Sequence, residues 1–123
     1  MRVMVFVKAT EDSEKGMDFK DPRTLKMMED MGKFNDELVK AGILKMENCG
    51  GLQPSSVGKR VAFNGTDRKV IDGPFDHPRS LDTGYWIWDV KDMDEAVAWV
   101  KKCPNPMFGP SEIEIRPFYE DFD

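Results

Sequence analysis

From Arg2 to Lys8 the side chains alternate, Val3, Val5 and Val7 on one side and Met4, Phe6 and Lys8 on the other, a period of two that predicts a strand apolar on both faces. The polar stretch from Thr10 to Asp21 breaks the pattern and ends at Asp21-Pro22, where Asp caps a helix and Pro is pre-set for its first turn. Met27, Met31, Phe34, Leu38 and Ala41 then recur at spacings of four and three, which predicts a helix to about Ala41 with these residues in the core. Glu29 with Lys33 and Asp36 with Lys40 are ion pairs outside that stripe, and Gly42 supplies the stop.

A short strand is expected over Ile43 to Gly51, then strands at Lys59 to Phe63, Lys69 to Asp72 and Gly84 to Val90. The turn Asn64-Gly65-Thr66-Asp67 joins the first two of these as a hairpin, because Asn and Gly tolerate positive φ. Asp92 and Glu95 stand at N-cap and N3 positions of a second helix that places Met93, Val97 and Val100 on one face and ends before Pro104. Pro104 to Pro110 reads as a loop, and Ile113 and Ile115 between charged neighbours as a last strand.

Strand, helix, a run of strands, helix, strand is the order of an α+β, ferredoxin-like antiparallel sheet with two helices on one face and an added hairpin. The other sheet face is then uncovered. Val, Phe and Trp side chains are expected to point there, which predicts a homodimer with the sheets packed face to face.

Composition narrows the role. At 123 residues, residues 1–123 form a single domain with one core. The net charge of -5 lacks the basic field that phosphate contacts require, so no nucleic-acid partner is expected. No apolar run approaches the roughly 20 residues of a membrane helix, so no membrane role is expected. The N-terminus shows no leader pattern, and Cys49 and Cys103 have neither CxxC spacing nor histidines nearby, which predicts ordinary thiols and a cytoplasmic protein. His77 is the one histidine, without a second ligand at metal spacing, and no phosphate loop or GxGxxG occurs, so neither metal nor cofactor is expected.

Chemistry has few candidates. Asp72, at a strand end beside Gly73, Pro74 and Phe75, has the placement of a general base or polar anchor; equally, it suits a residue whose carboxylate bonds turn amides. His77 follows within reach and is the natural proton-transfer group, or a surface loop residue. Lys8 is a candidate charge partner for an anionic ligand, and Phe75 and Tyr85 are candidate walls of a small-molecule pocket.

Five segments carry a likeness. Met4 to Lys8, Gly51-Leu52-Gln53-Pro54-Ser55, Asp72-Gly73-Pro74-Phe75, Gly84-Tyr85-Trp86 and Glu114-Ile115-Arg116-Pro117, in that order, resemble the YCII-related, DGPF-domain family over nearly the whole chain. The resemblance implies a dimeric α/β barrel and no particular reaction; some members are encoded beside or fused to sigma factors. Asp76-His77-Pro78-Arg79 departs from the family's usual continuation, so His77 is not carried over as a family residue. The expectation is a homodimer with a small-molecule pocket near Asp72, or a noncatalytic regulatory or protein-binding module.

Overall fold

The computed structural model describes residues 1–120. Its strands are β1 (Arg2–Lys8), β2 (Leu44–Gly51), β3 (Lys59–Asn64), β4 (Asp67–Asp72), β5 (Asp82–Asp89) and β6 (Ile113–Pro117), and its helices α1 (Pro22–Lys40) and α2 (Met93–Lys102). β2, β5, β1 and β6 form one antiparallel sheet in that order, the ferredoxin-like arrangement expected, and β3 and β4 pair with each other as a separate hairpin.

Local chemistry sets the helix ends as the sequence suggests. The Asp21 carboxylate accepts from the Arg23 amide, Asp92 accepts from the Glu95 amide, and Gly42 takes φ 75° after α1. Glu29 and Lys33 pair at 3.2 Å, and Lys26 with Asp30 forms a second i,i+4 pair; among the described residues Asp36 and Lys40 form none.

Register decides the faces. Val3 lies opposite Trp88 and Val5 opposite Trp86, so these four share one side, and there they meet Phe34 and Leu38 of α1 and Ala96 of α2. The Phe34 ring lies edge-on to Trp86, Trp88 and Trp99 with centroids 6.2 to 6.3 Å apart. Among the described residues the Trp88 indole N–H has no acceptor although the residue is fully buried, a cost of about 1–3 kcal/mol that the surrounding packing offsets.

The opposite face carries Met4 beside Ile87 and Phe6 beside Tyr85, all half-buried. The Val and Trp side chains expected on this open face are therefore on the helix side. A strand with bulk on both faces cannot state which goes inward, and the larger indoles fill the space under two helices.

The expected core stripe of α1 holds at Phe34 and Leu38 and fails at its ends. Ala41 is exposed, and Met27 and Met31 are only half-buried, with Met28 exposed beside them. In α2, Val97 is likewise exposed, while Met93 and Val100 pack on the core. Beneath the N-terminal half of α1 the half-buried Met27 and Met31 border a cleft.

Candidate functional site

That cleft, of about 590 Å³, lies between the first half of α1, the loop after β1, the end of β2, the start of β5 and the 106–108 segment. Its helix wall is the stripe Thr24, Met27, Met28, Met31 and Asn35, and Trp86 stands behind it. Methionine has three rotatable bonds and a polarizable sulfur, so this wall adapts to the shape of what it touches.

The floor is bare backbone. Gly51 and Gly84 face each other in the β2–β5 ladder, on the same side as Val7 and Trp86. A Cβ on Gly51 would meet nothing nearer than the Thr83 carbonyl at 4.0 Å, so the space above it is open. A valine or leucine here would have closed the cleft.

The polar groups are few. Asn35 Oδ1 accepts from the Trp86 indole N–H at 2.8 Å, which fixes the amide. At the rim the Arg23 guanidinium forks onto Asp21, with Nη2 2.8 Å from Oδ2, and stacks 4.2 Å over the Phe108 ring. The Arg23 side chain first, then its backbone amide, hold the Asp21 carboxyl below its usual range. Cys49 is the nucleophile type in the lining, but burial pushes its thiol up, so it stays protonated near neutrality.

The residues singled out from sequence are placed elsewhere, with one exception. Tyr85 belongs to the cleft lining; alternation turns its ring to the open sheet face, over Gly50. Lys8 Nζ donates to Asp82 Oδ1 at 2.8 Å in a half-buried pair. Asp72 lies on the exposed end of β4, where its carboxylate meets Lys59 Nζ at 2.5 Å across the hairpin. His77 is exposed with φ 63° and offers its carbonyl to Ser80. No hydrogen bond or ion pair joins Asp72 to His77 among the described residues. Asp72, His77, Gly73, Pro74 and Phe75 are all outside the lining of the cleft. The cleft is walled by α1 and not by the hairpin.

What the 72–75 segment does is dock. The Gly73 amide donates to the Gly58 carbonyl at 3.0 Å, the Phe75 amide donates to Ser55 Oγ at 3.0 Å, and Arg60 covers the Phe75 ring at 4.0 Å. A Cβ on Gly73 would lie 1.7 Å from the Ser55 carbonyl oxygen, so no side chain fits there. Ser55 in turn gives its amide (3.1 Å) and its hydroxyl to the Glu14 carboxylate. Glu14 belongs to the loop that forms one wall of the cleft. The glycine-proline segment therefore braces that wall through Ser55, a link that sequence order hid because residues 14, 55 and 75 are far apart in the chain.

Thr24, Asn35 and Met28 escaped the sequence reading as site residues. The available signal was a helical stripe with a polar residue at each end, Thr24 and Asn35, three and four positions outside Met27 and Met31. Among the described residues no cluster of His, Cys, Asp and Glu suited to a metal occurs, and no helix is long and apolar enough to cross a membrane.

A family model described as the YCII-related domain matches residues 1–119. An uncharacterized protein of Rhizobium meliloti (strain 1021) is 24% identical over 92 residues, covering 75% of this chain and 73% of that protein.

Proposed function

The chain belongs to the YCII-related family, and from that premise we propose that it is a homodimeric small-molecule-binding domain whose ligand occupies the cleft beside α1. The observation that carries the reading is a cavity of about 590 Å³ with an adaptable methionine wall and a floor kept bare by paired glycines. Such a volume falls within the range of ligand pockets, and the lining is mostly apolar with a few fixed polar groups, as those pockets are. Filling the floor tests it: Gly51→Leu should abolish binding of the uncharged fluorescent probe N-phenylnaphthylamine while leaving the melting temperature near that of the parent. Undiminished binding would place the ligand elsewhere.

The dimer rests on the open sheet face. Met4 with Ile87 and Phe6 with Tyr85 form adjoining apolar pairs that a single chain leaves half-uncovered, and a second copy of the same face covers them with twofold symmetry. Phe6→Arg should convert a dimer to a monomer by light scattering at micromolar concentration; a parent protein that is itself monomeric there removes the proposal.

General acid–base chemistry at Asp72 and His77 is kept as a proposal separate from the cleft, since both side chains are open to solvent. A protein-binding role for the same dimer is favoured by one feature, the hairpin β3–β4, whose residues are all exposed and include Val61, Phe63, Val70 and Ile71. A two-stranded hairpin is marginal by itself, so an arm of this kind gains stability from whatever it touches. Deleting the hairpin tip and finding unchanged oligomeric state and partners would remove that second use.

A further inference from the structure

Thr24 is buried, 5% exposed, and lines the cleft, yet its hydroxyl takes no hydrogen bond among the described residues. A helical threonine can return its hydroxyl to a carbonyl one turn back; this one does not. Since the Trp88 indole N–H alone is both fully buried and unpartnered among the described residues, the Thr24 hydroxyl opens onto the cleft and is free to bond what enters it. At the far end of the same stripe, Trp86 fixes Asn35 by its oxygen, so the two amide N–H groups of Asn35 are left without an acceptor among the described residues. Between them lie only Met27, Met28 and Met31 on this wall. Eleven residues at about 1.5 Å each separate the two polar groups by roughly 16 Å along the axis of α1.

Charge limits the ligand further. The rim carries Asp12, Asp18 and Asp21 against Lys15 and Arg23. Arg23 is committed to Asp21, and Lys15 lies 3.9 Å from Asp12. The N-terminus of α1, which would otherwise attract an anion, is already occupied by the Asp21 carboxylate through the Arg23 amide at 2.9 Å. Among the described residues each rim cation already faces a carboxylate, so an anion in the apolar cleft would have to compete for Lys15 or Arg23, and burying such a charge unpaired is costly.

From these observations we infer that the cleft takes an uncharged, elongated and mostly apolar molecule with a hydroxyl or carbonyl oxygen at each end, one bonded by Thr24 and the other by the Asn35 amide. This rests on the cleft being the binding site. The chain's polar ends would then set the length of ligand accepted, and the methionines would accept varied apolar middles.

The test is displacement of N-phenylnaphthylamine from the full-length protein by straight-chain terminal diols of graded length, by decanol, and by decanoate. The expected result is a diol of optimal length that binds best, decanol weaker, and decanoate weaker than decanol by roughly tenfold or more. Thr24→Val, which keeps the shape and loses the hydroxyl, should weaken the best diol about fivefold, and Thr24→Ser should restore it. Asn35→Asp keeps the acceptor for Trp86 and loses both donors, so it should weaken the diol at least as much. Decanoate binding as well as decanol, or diol affinity unchanged in both Thr24→Val and Asn35→Asp, overturns the ligand class while leaving the cleft as a binding site. A probe that does not bind the parent protein at all overturns the cleft reading and this inference together.

Discussion

The hairpin with its Asp72–Phe75 tail and the cleft beside α1 are built on opposite plans. Around Gly73 the backbone approaches so closely that a single Cβ would overlap the Ser55 carbonyl, while above Gly51 a Cβ meets nothing nearer than the Thr83 carbonyl at 4.0 Å. Glycine is used at one place because there is no room and at the other to make room. A conspicuous run of residues can therefore be held by tight packing, and a cleft can be lined by residues that look like ordinary core. The two are coupled through Glu14 and Ser55, so the docked segment supports the wall of the cleft without lining it.

The sharpest way to break this contrast is Gly73→Ala. The forced overlap should undock the segment and cost about 3 kcal/mol or more in denaturant unfolding, the range of severe backbone and packing lesions. A variant as stable as the parent would show that the close approach is dispensable. Ser55→Ala removes the hydroxyl that accepts from Phe75 and donates to Glu14, and should cost about 1–2 kcal/mol together with weaker probe binding, because the cleft wall loses its brace. Stability lost with affinity intact would uncouple the two regions.

A pH experiment separates the core from both. Burial pushes the Cys103 thiol up to about 12 from an ordinary value of 9.0. A group whose folded pKa is raised contributes stability that is complete below the unfolded value and declines as pH rises toward the folded one. The melting temperature should thus fall between about pH 9 and 12 more steeply in the parent than in Cys103→Ala, and equal slopes would contradict the burial of that thiol. The smallest effect belongs to Asp72→Asn. Its partner Lys59 is an exposed surface ion, so the change should cost under about 1 kcal/mol and leave probe affinity unaltered. A large loss of probe binding there would return the site to the hairpin.

Much of the architecture was legible in the chain because it is decided locally. The strand at Arg2–Lys8 follows from alternation, the ends of α1 from Asp21-Pro22 and Gly42, and the hairpin from Asn64-Gly65, each a matter of backbone preference within a few residues. The separation of the hairpin from the main sheet and the orientation of Tyr85 against Trp86 depend on pairing register, which alternation alone leaves open by one residue.

The candidate site was less legible, for the same reason. Met27 and Met31 have the spacing of core residues, yet both are only half-buried and line the cleft; Thr24 reads as an unremarkable helical position until its unbonded hydroxyl is found in the cleft lining. By itself the sequence determined the elements, their order and the family to which the chain belongs, because periodicity, caps and turns are short-range and the five motifs are linear. The tertiary structure decided that the Asp72–Phe75 segment packs on Ser55 and Gly58 and that an open space lies beside α1. Both depend on distances between residues far apart in the chain, which packing sets and no local preference encodes.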